Sequence, residues 1–396
     1  MKRILLLTIT AFSLLLLMGC VHTPTARGEE TSTPDGTTVP ATTDTAPSES
    51  SATPDTTSDS PSGEADTDVP EDKSPESEGT TESEPVTRVP ENLVVVTDQK
   101  SGQEGIAVYD LSKIDLSDYD FEQDYIEIDP STAEVFRYTE GLYDVAGVKL
   151  RILPSTGEYV LMVAYGGSYA AMISYPDGEL LWNTSQTGQG PHSIELLPDD
   201  WIVVAAPGSS ASDYSDGKLT FFSAKRAQPR LSVELPDAHG VLYDPEGGCI
   251  WAVGGDQLKK YTYTADGRNL TVNEELAIAL PSSGAHDLAA YYGDTDKLII
   301  TTTEKVYVYE KTTGAFMTAA EDSGIVSATR IKGIGILQDG SVIFTRPSEV
   351  VYPVRASWLT DCIVYHKWVN GELVKYRLVS SQYEIYKIRV MRAEYQ

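Results

Sequence analysis

From Glu91 to Gln396 the chain is a succession of short apolar runs broken by turn residues. Leu93–Thr97, Ile106–Leu111, Tyr125–Ile128 and Glu134–Tyr138 come first. Lys218–Ser223, Leu231–Leu235, Leu258–Tyr263, Lys305–Tyr309, Cys362–Trp368 and Leu373–Val379 follow the same design. Between the runs stand Pro176-Asp177-Gly178, Asp266-Gly267, Asp339-Gly340 and Asn370-Gly371, the turn chemistry that joins antiparallel strands. No stretch carries the 3.6-residue period of an amphipathic helix. The pattern predicts an all-β domain.

One phrase in this pattern recurs. Gly190–Ala206 opens on a histidine, continues as a β-type run, turns, and ends in the apolar run Trp201–Ala206; Ala238–Gly255 and Ala285–Thr302 repeat it. The histidines are His192, His239 and His286, spaced by 47 residues each time. A fixed period of this size is the mark of stacked or radially arranged repeats. The same ruler reaches Lys332 in Ile331–Thr345 and Lys149 in Val148–Ala164, and the VKLR of Val148–Arg151 echoes the YKIR of Tyr386–Arg389. The position is thus filled by Lys149, His192, His239, His286, Lys332 and Lys387, which predicts six repeats of about four strands, the arithmetic of a propeller. Leu93–Tyr138 supplies only the last three strands of a repeat. Its first strand is expected from Tyr386–Met391, pairing with Leu93–Thr97 and closing the ring, so that no edge is left open. The expected fold is a six-bladed β-propeller over residues 91–396.

The amino end is a different polymer. Lys2 and Arg3 precede the apolar run Ile4–Met18, then Gly19 and Cys20, as in a secretory signal. The run is shorter than the roughly 20 residues of a spanning helix. Leu17–Cys20 resembles the bacterial lipobox, which implies a signal peptide over 1–19 and lipidation of Cys20; an ordinary signal or an uncleaved anchor are the alternatives. Residues 21–90 are Thr, Ser, Pro, Asp, Glu and Gly with almost no large apolar side chains, a composition that cannot form a core. They read as a disordered tether with a reach of roughly 45 Å. An extracytoplasmic domain held to the cell membrane by its lipid follows.

Charge narrows the partners. The chain carries −29, of which −18 falls on residues 91–396. So acidic a domain is a poor ligand for nucleic acid, and its only expected contact with the membrane is the anchor. It is read as a monomer. Cys249 and Cys362 lie in apolar runs of different repeats and are expected to be buried thiols, not a disulfide.

The PHS, AHG and AHD strand starts, the VKLR and YKIR echoes and the lipobox together resemble an uncharacterised family of bacterial secreted six-bladed propeller lipoproteins. The resemblance spans Leu93–Gln396; it implies the fold and no activity. A weaker similarity, of architecture and histidine content only, is to propeller-type oligogalacturonate lyases.

In a propeller the first strand of each blade is innermost and begins at one mouth of the central channel, so the six positions are expected to ring that mouth. Two chemistries follow. Lysines and imidazoles focus positive potential in an acidic protein and would draw in an anionic small molecule or acidic glycan, with Arg151 and Arg389 adding bidentate carboxylate contacts. Alternatively His192, His239 and His286 would hold a divalent metal, against which stand the nearby lysines and the lack of a repeated acid other than Asp287. A lyase or hydrolase of acidic saccharides would use His239 as base and Lys149 or Arg151 to neutralise the uronate; no catalytic residue can be assigned from the sequence. Tyr165, Tyr169, Tyr352 and Trp358 are candidates for stacking on sugar rings. A histidine before the innermost strand also serves structurally in WD-type propellers, and a protein–protein scaffold would leave the ring in that role. Lysine, which accepts no hydrogen bond, is a poor substitute there.

Overall fold

Six sheets carry the domain, one per repeat, antiparallel except at the outer edge of blade six. The computed structural model describes residues 89–396 apart from 118, 120–124, 210–213 and 323. The signal, the Cys20 lipidation site and nearly all of the tether lie outside the described residues. Among the described residues no helix is long and apolar enough to cross a membrane.

Blades two to five are up-and-down meanders taken straight from the chain: Val145–Thr184, Ser193–Glu234, Ala238–Ala279 and Ala285–Met317, each with its first strand innermost. Blade six runs from Gly333 to Val379. Blade one is assembled from both ends. Its outer strands are Leu93–Asp98, Gly105–Asp110 and Glu134–Tyr138, and its innermost strand is Ile385–Val390. The closing register is antiparallel, with Val94 opposite Val390, Val95 opposite Arg389 and Val96 opposite Ile388. The fold is therefore the six-bladed propeller that the repeats announce, closed by its last strand.

One run falls elsewhere than the repeat arithmetic suggests. Ile126–Glu127 is no part of blade one's meander. It adds to the outer edge of blade six, parallel to Leu378 and Val379, and so straps the two blades on either side of the closure.

Each sheet packs both faces against neighbours, which is why its inner strands read as unbroken apolar runs. Trp201–Ala206 is buried at every position. Six apolar clusters fill the six blade interfaces; between blades two and three, for example, Met162 and Trp182 meet Ile202 and Phe222. Cys249 and Cys362 are buried free thiols within such clusters.

The innermost strands touch in an unbroken circle. Glycine sets their spacing at alternate blades. A Cβ on Gly147 would lie 2.6 Å from the His192 carbonyl oxygen, one on Gly240 2.7 Å from Leu288 Cβ, and one on Gly333 2.6 Å from the Ile388 nitrogen. At Gly333 the obstacle is backbone, which cannot rotate away. Gly333→Ala is accordingly expected to cost about 1–3 kcal/mol by prising blade six from the closing strand; a chemical denaturation midpoint equal to wild type would refute this.

Candidate functional site

The bulges at the start of the innermost strands build the mouth. Ala146, His239 and His286 are each the extra residue of a β-bulge, and Tyr386 lies in the irregular stretch between Ile385 and Ile388. His192 and Lys332 directly precede the first paired residues of their strands, Ser193 and Gly333, and donate their amides to the carbonyls of Ala205 and Thr345. A bulge turns one extra side chain toward the axis. The ring at the mouth is therefore Ala146, His192, His239, His286, Lys332 and Tyr386, and these six line a cavity of about 460 Å³.

This corrects two members of the expected ring. Lys387 sits one residue past Tyr386, and Lys149 three past Ala146, so both lie deeper in the channel. The VKLR and YKIR echoes match in letters but not in register. At roughly 3.3 Å per residue, the axial offset of Lys149 is about 10 Å.

Down the channel the cations meet acids from other blades. Arg151 grips Glu195 with both arms, Nε at 2.6 Å and Nη2 at 2.8 Å, and Lys149 Nζ adds a third contact at 3.0 Å. Arg389 does the same to Asp287, Nη1 at 2.6 Å with Nη2 on the other oxygen, and Lys387 Nζ lies 3.5 Å away. Glu195 and Asp287 are wholly buried. Burial alone would raise the pKa of both carboxyls; for Glu195 the charges of Arg151 and Lys149 outweigh it, for Asp287 those of Arg389 and Lys387, and both are held below the usual range. Burial pulls Lys149 and Lys387 down to about 8, only partly offset by their acids. The expected use of Lys149, Arg151, Lys387 and Arg389 as anion ligands is thus superseded: internal carboxylates already occupy them.

Lys387 also makes the floor of the mouth. It is 1 % exposed, and its ammonium donates to the carbonyl oxygens of His192, at 3.2 Å, and His286, at 3.1 Å. Blades three and five are bridged across the axis by this one side chain.

Above the floor the three imidazoles lie side by side, with ring centroids 4.5 Å apart for His192–His239 and 5.6 Å for His239–His286. His192 Nδ1 donates to the Gly190 carbonyl at 2.5 Å and His239 Nδ1 to that of Asp237 at 2.9 Å. A carbonyl only accepts, so Nδ1 carries the proton in each. Burial, then the neighbouring His239 and Lys387, push the pKa of His192 well below its usual value. Burial, then Lys332, lower His286 to about 2. Both rings are neutral at physiological pH, and the free Nε2 of His192 is a hydrogen-bond acceptor.

The three histidines do not form a metal centre. Among the described residues no group of three or more His, Cys, Asp or Glu side chains is placed to hold an ion. The reason is local: the His286 ring faces the Lys332 ammonium, 3.2 Å from Nε2 and 3.4 Å from Nδ1, where a dication would be repelled. The pairing of His239 as base with Lys149 or Arg151 fails too, since both cations are fixed on Glu195 deeper in the channel.

Lys332 is the remaining Lys or Arg among the described residues that line the cavity. Among the described residues no carboxylate lies within ion-pair distance of it; its neighbours are His286 and the face of Tyr386, 5.8 Å from ring centre to ammonium. Burial, then Lys387 and Arg330, lower its pKa to about 8, with Asp237 pulling the other way. The rim is aromatic. Trp358, 52 % exposed, and Tyr214 line the cavity, the Trp358 indole N–H donating to Gln99 at 3.4 Å. Tyr165 and Tyr169 stack at 5.6 Å, with Tyr143 edge-on to both and its ring over Gly166 at the cavity wall. Tyr352 does not line the cavity; its hydroxyl donates to Glu127 at 3.0 Å. His366 lies on the third strand of blade six, away from the mouth.

Sequence reasoning missed Tyr386, Tyr214, Gln99 and the acid Glu195, and it noted Asp287 beside His286 without its role as the partner of Arg389. Tyr386 opens the YKIR echo, so the letters were visible. What hid it was the bulge, which has no sequence signature of its own. No curated protein matches the chain. A family match covers residues 72–353, stopping short of the last two strands of blade six and of the closing strand. With that match over most of its length, the chain belongs to the family of unknown function DUF6528.

Proposed function

We propose that the domain binds an anionic small molecule, in particular a sugar acid or the acidic end of a glycan, in the cavity over His192, His239 and His286. The observation that carries this is Lys332, an ammonium group beside a roomy cavity with no carboxylate partner among the described residues. A half-buried cation of this kind is satisfied best by an anion from outside. The other lining groups complement the rest of a sugar: His192 Nε2 accepts from hydroxyls, and Trp358 and Tyr214 offer rings for its apolar face. The leader and tether of residues 1–90 would present this cavity outside the cytoplasm, on a lipid at Cys20.

Binding ranks ahead of turnover for a physical reason. Lys149 and Arg151, the cations a lyase would need to neutralise a uronate, are held by Glu195 deeper in the channel. A lyase would show itself as new unsaturated product from polygalacturonate.

The test is calorimetric titration with galacturonate beside galactose. Galacturonate is expected to bind and galactose not, and Lys332→Met should weaken binding at least ~30-fold, the scale of about 2 kcal/mol for removing one partner of a desolvated charge pair. Affinity should hold below pH about 8 and decline above it as Lys332 loses its proton. Equal heats for the acid and the neutral sugar, or an unaltered Lys332→Met, would sink the proposal.

A further inference from the structure

We infer that Lys332 is also a nucleophilic amine, one that condenses with the carbonyl group of a small aldehyde or 2-oxo acid admitted to the mouth. Three geometric facts separate it from the other lysines of the channel. Lys149 and Lys387 are buried and fixed on Glu195 and Asp287, so neither can reach a ligand. Lys332 lines the open cavity, is only partly buried, and among the described residues has no carboxylate within ion-pair distance. Its ammonium and that of Lys387 both lie against the Tyr386 ring, at 5.8 Å and 5.9 Å from its centre.

A lysine that is desolvated and set beside a second cation loses its proton more readily and becomes a nucleophile. The charged groups acting on Lys332 are Lys387 and Arg330, which disfavour its protonation, and Asp237, which favours it; neutral His286 stands against it and contributes no charge at neutral pH. The lowered value of about 8 agrees with the geometry. In the step itself the nitrogen lone pair attacks the carbonyl carbon, giving a carbinolamine. The former carbonyl oxygen takes up protons and departs as water, and the nitrogen gives up both its hydrogens, leaving an imine. No oxidant or reductant takes part. His286, within hydrogen-bond distance of the nitrogen, orients the amine, and the cavity of about 460 Å³ admits the carbonyl compound.

This does not depend on sugar acids being the ligand. The experiment uses the full-length chain with glyoxylate, or with uncharged glycolaldehyde, in the presence of cyanoborohydride, which reduces an imine to a stable amine; peptide mapping then gives the rate at each lysine. Lys225, whose side chain is 76 % exposed, is the internal reference. At neutral pH, Lys332 should be modified at least about tenfold faster than Lys225, and the advantage should vanish at strongly alkaline pH, where every lysine is a free amine. Preference with glyoxylate alone would still support the inference and would add a need for the carboxylate. Lys332→Arg keeps a cation and removes the nucleophile, so the fast-labelled peptide should disappear while Lys225 is labelled at its wild-type rate. Modification of Lys332 no faster than Lys225 with both probes would overturn the inference, whatever the titrations with galacturonate show.

Discussion

Glu195→Gln is expected to lower the unfolding free energy by about 3–5 kcal/mol, the cost of stranding buried charge, and the melting temperature by roughly 10 °C for a domain of this size. Glu195 alone answers both Arg151 and Lys149, and all three are shielded from water. Glutamine keeps the shape and one acceptor oxygen but leaves two cations facing a neutral amide. The gain from the intact trio over an apolar core is small by comparison, because desolvation consumes most of the attraction. A triple replacement, Lys149→Met, Arg151→Leu and Glu195→Leu, should therefore recover much of the loss. Denaturation in urea checks both. Wild-type stability in the single variant would mean that the trio is not closed. The pH dependence has a definite sign: with its pKa depressed in the fold, Glu195 stabilises fully above the unfolded carboxyl's range, and that contribution is lost as pH falls through the folded value.

Ending the chain at Glu384 should abolish the cooperative unfolding transition altogether. The missing strand buries Ile385, Tyr386, Ile388 and Val390, with Met391 just beyond. At about 1.5–3 kcal/mol for each large apolar side chain, the loss is on the order of 10 kcal/mol, as much as a typical domain's whole stability. Other consequences add to it. Asp287 would be left buried without Arg389 or Lys387, and Leu93–Asp98 would become an open edge, apolar from Leu93 to Val96, a template for aggregation. A synthetic peptide spanning Tyr383–Gln396, added during refolding, should restore a soluble, cooperatively melting domain, since the closing register depends on pairing and not on chain continuity. Cooperative melting of the truncated chain by itself would show that closure is dispensable.

The fold was legible because propeller blades repeat in sequence as well as in space. The 47-residue steps between His192, His239 and His286 are a fixed count of backbone between equivalent points, and an incomplete first repeat implied its complement at the other end. The site was legible only in part. His192, His239, His286 and Lys332 meet at the mouth as their spacing suggests. Lys149 and Lys387 do not, because alignment by residue type cannot see where the irregular backbone at Ala146 and at Tyr386 sets the start of each strand. Nor could the sequence reveal that Arg389 is held by Asp287, 102 residues away: the partner of a buried cation is fixed by which blades face each other across the axis. The exposed aromatics divided similarly. Trp358 reaches the cavity, whereas Tyr352 is turned outward onto Glu127 by the loop that carries it.

The lysine bridge beneath the imidazoles has a topological consequence. With Lys387 fastened to carbonyls on two blades and to Asp287, and with Lys149 and Arg151 closed on Glu195 deeper in the channel, the central opening is a cup and not a tunnel. Whatever occupies it enters and leaves by one door, and a polymer cannot be threaded through. For the acidic glycan proposed above, such a cup would tell a terminus from an interior: the end of a chain would descend to Lys332 and a mid-chain unit would be stopped at the rim by its own continuation on both sides. On the proposal that the ligand is an acidic glycan, selectivity for its ends over its middles would come from the floor of the channel and not from its walls.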